Sequence, residues 1–258
     1  QRSTRHFKVT PLGQEFFEAC EKIISQTNFA QNILTKQTLE PKGLVKLSCP
    51  SVMMEHQIRP LLNQFLKQYP QVKVEMELTS RRVDILHDDI DLAIRTNFEN
   101  NEDSSIIVRD VIRTTHCLVA SPELLNGHII EHVTELCNYP SIVLGTQKTN
   151  YRWSLYNEKH KEEIDILLDP RVKSNDLSGA YFSALDGLGI ADLPFLTVEK
   201  DIQEGRLIHI LPEWCSNIGT VQIVYSSRKG QRLVMEKLID HLIEGIRSYA
   251  ESSKGYLI

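Results

Sequence analysis

The sequence predicts an α/β fold built from two lobes, and two observations support this. After Gly43, short apolar or alternating runs typical of strands alternate with amphipathic stretches typical of helices. This order favours βαβ units and a mostly parallel sheet. About 215 residues follow Gly43, more than one small sheet needs, so we expect two α/β lobes joined by crossing strands.

The composition excludes several classes of protein. Hydrophobic residues make up 41% of the 258 residues and charged residues 24%, as in ordinary globular proteins. The formal net charge of −5 argues against a protein that coats nucleic acid non-specifically. No apolar run reaches the roughly 20 residues of a membrane-spanning helix. Five cysteines without a CxxC motif fit a reducing environment, so we expect a cytoplasmic protein that does not bind membranes.

A long helix is the first expected element. Thr10 is a suitable N-cap and Pro11 a suitable first helical residue. A heptad-like spacing of 4, 3, 4, 3 and 4 residues connects six positions, which favours pairing with a second helix. These positions are Phe16, Cys20, Ile23, Thr27, Ala30 and Leu34. The alternative is a helix packed on its own domain. The segment EPKG at 40–43 ends the helix and predicts a hinge.

Strands and helices then follow in a regular order. Strands are expected at 44–49, 72–78, 91–95, 106–109, 116–120, 141–144, 171–174, 189–193, 206–211 and 221–226. Helices are expected at 52–69, 178–188, 197–204 and 234–249, with shorter helical segments at 83–86, after Ser121 and at 133–137. The charged segment 158–165 is expected to be exposed.

Five segments, in order, resemble the LysR-type transcriptional regulators. RSTRHFKVTPLGQEFFEAC is similar to the family's wing and linker-helix pattern, R-x-x-R-x-x-x-L-T-x-x-G-x-x-F. The matching positions are Arg2, Arg5, Val9 (for Leu), Thr10, Gly13 and Phe16. GLVKLSCPSVMMEHQIRPLLNQFLKQYPQVKVEMEL resembles the opening of the family's effector domain. The other three segments are DIDLAIR, LVASPELL and ALDGLGIADLPFLTVEKDIQEGRLIHILPEW.

The resemblance implies a two-lobed, periplasmic-binding-protein-like effector domain preceded by a long linker helix. It assigns residues 1–10 to the end of a DNA-binding wing, 11–40 to the linker and dimerisation helix, and 41–258 to the effector domain. Lobe I would comprise about 44–117 and 220–250, and lobe II about 118–219. Arg2 and Arg5 would approach the DNA backbone or minor groove, unless they are a solvated terminus. Because the sequence opens at the wing without Met, we expect it to begin inside a longer protein whose winged helix-turn-helix precedes it.

The effector cleft is expected where strands end, since ligands of open α/β sheets bind outside the carboxyl ends of strands. Ser51 follows the first strand, where its hydroxyl and free helix N–H groups favour an anion. The alternative for Ser51 is an N-cap role, which is compatible with ligand contact. The other candidates are Thr79, Ser80, Thr96, Asn97, Gly145, Thr146, Asn175 and Asp176. Each has a turn or cap role as its alternative. Asp192 replaces an apolar residue of the family and either repels a carboxylate or caps a turn.

No motif indicates catalysis, a metal or a cofactor. The histidines lack HxxxH and HExxH spacing, and no GxSxG, Walker or GxGxxG motif occurs. Cys137 and Cys215 are far apart, so small buried side chains are favoured over a redox pair. We therefore expect no enzymatic activity, no cofactor and no metal site. A solute-binding protein without DNA binding is the alternative, and an enzyme on the same scaffold is a further one.

The function predicted from the sequence is that of a bacterial DNA-binding transcriptional regulator. The resemblance implies that a small effector, such as a carboxylate or an aromatic metabolite, binds between the lobes. It also implies a homodimer or homotetramer, and contact with promoter DNA through the N-terminal domain that precedes this sequence.

Overall fold

The computed structural model describes residues 40–98, 106–145, 151–157, 159–226 and 232–253, together with eight earlier positions. Those eight are Thr10, Leu12, Gly13, Phe16, Ala19, Cys20, Ile23 and Thr27. The predicted sites Arg2, Arg5 and Thr146 lie outside the described residues, as do Ala30 and Leu34 of the apolar seam.

The described positions between Leu12 and Thr27 are all helical. The Oγ1 atom of Thr10 accepts a hydrogen bond of 3.1 Å from the amide of Gly13, which is the N-cap geometry expected for this residue. Two members of the predicted seam are largely solvent-exposed, Phe16 at 71% and Ile23 at 66%. The described chain therefore leaves this apolar face of the helix uncovered.

Twelve strands are present in the part of the chain that the structure describes. Their bounds are β1 Gly43–Cys49, β2 Val72–Leu78, β3 Leu92–Asn97, β4 Ile106–Ala120, β5 Ser141–Leu144, β6 Arg152–Asn157, β7 Glu162–Leu167, β8 Pro170–Ser174, β9 Ile190–Pro194, β10 Ile208–Ile210, β11 Trp214–Cys215 and β12 Ile218–Ser226.

The helical elements follow the strands that position them. After β1, α1 (Ser51–Met53) continues through a π-helical turn (Met54–Ile58) into α2 (Arg59–Gln68). The later helical elements are α3 Pro122–Leu125, a 3-10 turn Val133–Asn138, α4 Leu177–Leu185, α5 Phe195–Gln203 and α6 Leu233–Ser252. No helix of the described segments combines the length and apolarity needed to cross a membrane.

One large sheet extends through both halves of the molecule, in the order β2-β1-β3-β12-β4-β9-β5-β8, with β10 paired to β4. Strand β4 carries the connection. Its first part pairs with β12, and its last residues, from His116 onward, pair with β9. We call lobe I the side formed by β2, β1, β3, β12 and the start of β4, and lobe II the side formed by the end of β4, β9, β5 and β8. The domain limits expected from the sequence stay a prediction.

The expectation of a mostly parallel sheet was wrong. Strand β1 is parallel to β2 and β3, and β5 is parallel to β8 and β9. The strands that cross between the lobes run the other way, since β12 is antiparallel to β3 and β4, and β4 is antiparallel to β9. The two strands expected at 106–109 and 116–120 are one strand of 15 residues. Its sequence contains neither glycine nor proline, so nothing interrupts it.

A second, three-stranded sheet in the order β11-β6-β7 was not expected as a sheet. The charged segment at 158–165 contributes the start of β7, antiparallel to β6. Glu162 and Glu163 are exposed as expected, whereas Ile166 is buried in the same apolar cluster as Trp153 and Leu155 of β6. The charged residues of the exposed face therefore obscure the strand pattern of β7 in the sequence, although its other face packs on lobe II.

Candidate functional site

Ser51 lies where the sequence predicted, one residue after Pro50 and two after the end of β1. Its side chain does not cap the helix, because Pro50 is the N-cap residue and no side-chain capping bond is present there. The Ser51 hydroxyl instead donates to Asp176, at 3.0 Å from Oδ1 and 3.3 Å from Oδ2. The alternative of an ordinary N-cap role for Ser51 is therefore wrong.

Asp176 collects further hydrogen bonds from both lobes. The hydroxyl of Ser80, which follows β2 in lobe I, donates to Oδ1 at 3.1 Å. The amide of Ser178 in α4 of lobe II donates to Oδ2 at 3.0 Å, so Asp176 also caps that helix. The Ser178 hydroxyl donates to that of Ser51 at 3.0 Å. We call these four residues the serine–aspartate cluster, and it bridges the lobes.

The backbone of Asp176 is held in place by the last residue of β8. The hydroxyl of Ser174 donates to the carbonyl oxygen of Asp176 at 2.6 Å and accepts from its amide at 3.1 Å. A Cβ atom on Gly179 would come within 2.5 Å of the Ser174 Oγ, so a glycine at 179 leaves the room that this hydroxyl uses. The loop after β8 thus presents the Asp176 carboxylate in one orientation.

The charge of this carboxylate is stabilised by hydroxyl and amide donors. Burial by itself raises the pKa of Asp176, but the hydrogen bonds from Ser51, Ser80 and Ser178 outweigh it, and the pKa lies below the ordinary aspartate value. Asp176 is therefore ionised at neutral pH. Among the described residues, no lysine or arginine forms an ion pair with it.

The other predicted positions that the structure describes have local roles of their own. Thr79 accepts a bond from the Arg81 amide at 3.2 Å, which is a turn role. Thr96 and Asn97 end β3 beside Val221 and Thr220 of β12. The Gly145 amide donates to the Ser174 carbonyl at 2.8 Å, and its φ of +115° suits glycine. Asn175 is exposed next to Asp176. Of the predicted residues that the structure describes, Ser51, Ser80 and Asp176 are thus joined by direct hydrogen bonds.

A second carboxylate lies where β4 passes from one lobe to the other. Asp192 of β9 accepts bonds from the Ser216 hydroxyl at 2.6 Å and from the Asn217 side-chain amide at 3.3 Å. The Nδ1 atom of buried His116 lies 3.4 Å from its Oδ2. Asp192 therefore does not act as the simple turn cap that the sequence left open. Sequence reasoning missed His116 and Ser178, which lie inside a strand and a helix, and Ser216, which follows β11, a strand that the sequence did not predict.

Apolar and aromatic contacts accompany the polar bridge between the lobes. Val52 of α1 belongs to the same buried cluster as Ala180 and Tyr181 of α4. The ring of His56 meets that of Tyr181 edge-on, with ring centres 5.2 Å apart. Burial lowers the pKa of His56 below the ordinary histidine value. The helical run after β1 therefore lies against α4 of lobe II.

The described residues give no indication of a reactive thiol or a metal centre near the serine–aspartate cluster. Burial raises the pKa of the Cys49 and Cys117 thiols, which disfavours the reactive thiolate. The residues that the structure describes contain no group of three or more metal-ligating side chains. Hydroxyls and one carboxylate, presented by two lobes, form an arrangement suited to reversible binding of a small polar molecule.

Comparison with known families identifies the chain. The sequence profile of the LysR substrate-binding domain matches residues 39–247. The chain belongs to this family. The resemblance seen in the sequence is thereby confirmed, and the family is one of transcriptional regulators.

Similar proteins agree with this assignment. An uncharacterized HTH-type transcriptional regulator of Haemophilus influenzae is 28% identical over 232 residues, which are 89% of this chain and 78% of the relative. The HTH-type transcriptional regulator PtxR of Pseudomonas aeruginosa is 25% identical over 248 residues, 93% of this chain and 78% of PtxR. The regulatory domain of AphB in Vibrio vulnificus has a TM-score of 0.64 at 27% identity and covers 79% of this chain and 98% of that domain. The predictions of a two-lobed fold and of a LysR-type transcriptional regulator are confirmed.

Proposed function

We propose that the chain binds a small effector between its lobes and thereby controls how an oligomeric regulator binds promoter DNA. The observation that carries this proposal is the serine–aspartate cluster, in which Ser51 and Ser80 of lobe I meet Asp176 and Ser178 of lobe II. A ligand that changes these contacts changes the relation between the lobes. Such a ligand shifts the equilibrium only by its difference in affinity for the two arrangements.

The other predicted residues complete the proposed cleft. Thr79, Thr96, Asn97, Gly145, Thr146 and Asn175 are its further proposed lining. The effector class that the family resemblance favours is a carboxylate or an aromatic metabolite. We propose no cofactor, no catalytic role and a cytoplasmic location, in keeping with a family of transcriptional regulators.

Self-association and DNA contact are parts of the same proposal. The exposed Phe16 and Ile23 support pairing of the N-terminal helix with a second copy, giving a homodimer or homotetramer. Arg2 and Arg5 are proposed to approach DNA beside a winged helix-turn-helix. Movement of the lobes would then alter the spacing of two such DNA-binding units.

A metabolite screen tests the effector role. Candidate carboxylates and aromatic compounds are titrated into the chain while its melting temperature is followed, and hits are measured by calorimetry. We expect Ser51→Ala to weaken an anionic hit by about tenfold, or about 1.4 kcal/mol, because a hydrogen bond to a charged group is lost. Ser154→Ala is the matched control, since Ser154 donates to Asp165 within the small sheet. Unchanged affinity in Ser51→Ala would contradict the assignment of Ser51.

A further inference from the structure

The two oxygen atoms of Asp176 have different surroundings. Capping α4 needs only the bond between Oδ2 and the Ser178 amide. Oδ1 faces lobe I, where it accepts from Ser51 at 3.0 Å and from Ser80 at 3.1 Å, and the Ser51 hydroxyl also lies 3.3 Å from Oδ2. The capping role accounts for the bond from the Ser178 amide, and the bonds from Ser51 and Ser80 across the lobes require a separate explanation.

The donors that surround Asp176 are those that a free carboxylate ligand would use. They are two hydroxyls and one backbone amide, and the Ser178 hydroxyl orients that of Ser51 from the other side. No arginine or lysine of the described chain competes for the carboxylate by ion pairing. Hydrogen bonds from neutral hydroxyls are exchanged with ligand or water more readily than a buried ion pair is broken.

We propose that Asp176 is an internal ligand of the cleft. Its carboxylate occupies the position of an anionic effector group, holds the two lobes together when no effector is present, and must be displaced before such a group can bind. This inference rests on the proposed effector-binding function. It narrows the effector to a molecule whose anionic group competes with Asp176 for Ser51 and Ser80.

Competition follows from charge and from the number of donors. Two carboxylates cannot share the same hydroxyls, because like charges at hydrogen-bonding distance repel each other in this half-buried place. The effector therefore binds only the fraction of molecules in which Asp176 has turned away, and its apparent affinity is lowered by that fraction. Ser174 and Gly179 fix the backbone behind Asp176, so the side chain alone has to rotate.

The test uses acetate as the probe and the full chain as the protein. Asp176→Asn keeps an N-cap residue on α4 but removes the charge, and Asp176→Ser does so with a shorter side chain. Acetate is titrated against chloride at equal ionic strength, and binding is followed by NMR signals of the cluster. We expect both variants to bind acetate about tenfold more tightly than the wild type, and Ser51→Ala to remove this gain. Equal or weaker binding in a folded variant overturns the proposal.

Small-angle scattering tests the closure of the lobes independently. Without acetate, Asp176→Asn should have a larger radius of gyration than the wild type, whereas the control Asp165→Asn, in the small sheet, should not. An unchanged radius in Asp176→Asn overturns the role in closure.

The two proposals fail in different ways. If the variants gain acetate affinity but no metabolite of the screen binds the wild type or the variants, the effector function fails and the internal ligand stands. If a metabolite carboxylate binds the wild type and Asp176→Asn equally, the internal ligand fails and the effector function stands.

Discussion

Two aspartates of lobe II show how differently a charge is held within a lobe and between lobes. Asp201 of α5 is 1% exposed, and the Arg206 guanidinium lies 2.6 Å from its Oδ1 while the Tyr181 hydroxyl donates to its Oδ2 at 2.9 Å. Asp176 is half-buried and is held by serines alone. Both accept several hydrogen bonds, but only Asp201 has a cation.

This difference in partners indicates that Asp201 stabilises the fold of lobe II, whereas Asp176 can change its contacts when the lobes move. The Asp201 carboxylate is itself buried, so losing its partners would leave an uncompensated charge inside lobe II, and we expect it to keep them until lobe II unfolds. The bonds of Asp176 can be replaced by water or ligand while the greater part of each apolar core remains intact, because most buried side chains of lobe I form a cluster of their own and only Val52 joins the cluster of lobe II. A carboxylate without a cation at an interlobe contact is suited to switching.

The largest effect is expected for Asp201→Ala. Removing the carboxylate leaves the buried Tyr181 hydroxyl without its acceptor, so the free energy of unfolding should fall by about 1–3 kcal/mol, whereas the half-exposed Arg206 keeps its ion pair with Glu204. Urea denaturation measures it. Asp165→Ala, which removes an exposed ion pair with Arg152, is the control and should cost about 0–1 kcal/mol. A loss in Asp201→Ala no larger than in the control would break the comparison.

A smaller effect is expected for Asp176→Asn. The new side chain still caps α4, and the substitution removes a charge without emptying any part of the apolar cores, so we expect a loss of about 1 kcal/mol or less in the free energy of unfolding. The same urea experiment measures it. If Asp176→Asn destabilised the chain as strongly as Asp201→Ala, the serine–aspartate cluster would be a structural element and not a switch.

Acidification should have the smallest effect on the free energy of unfolding. As the pH falls, protonation of His56 should contribute first and protonation of Asp176 only at lower pH. The pKa of His56 is lowered in the folded chain, so the unfolded chain binds more protons and stability falls as the pH drops below the ordinary value of 6.5. The pKa of Asp176 is also lowered, so its contribution is complete above 3.8 and is lost only below that value.

Melting curves between about pH 7.5 and pH 5.5 measure the histidine effect. His56→Phe should lose less stability over this range than the wild type. Burial also lowers the pKa of His209, so part of the dependence of stability on pH should remain in the variant. An identical pH dependence in both proteins would show that His56 is not protected from protonation at the interlobe contact.

The sequence was sufficient for most of the fold, and the failures have a physical cause. Local patterns identify the strands of the large sheet, because apolar alternation depends on neighbouring residues. The antiparallel course of β12 depends on residues far apart in the chain, such as Thr96 opposite Val221. The small sheet was missed because its exposed face, with Glu162 and Glu163, dominates the composition of that segment.

Part of the candidate site could also be predicted. The rule that ligands bind at strand ends led to Ser51, Ser80 and Asp176, since it selects polar residues at one edge of each sheet. The rule does not say which residues of two lobes touch. That Asp176 turns toward Ser51, and that Ser178 joins them from within a helix, depends on how the lobes close on each other.

The position of β12 has a consequence for biosynthesis. This strand lies in the middle of the lobe I sheet, between β3 and β4, yet it is the last strand of the described chain, and α6, which follows it, supplies much of the lobe I core. During translation, all strands of lobe II therefore leave the ribosome before β12 and α6, which complete lobe I, have been synthesised. We expect lobe II to fold first during translation. One edge of β3 stays unpaired until β12 has been synthesised.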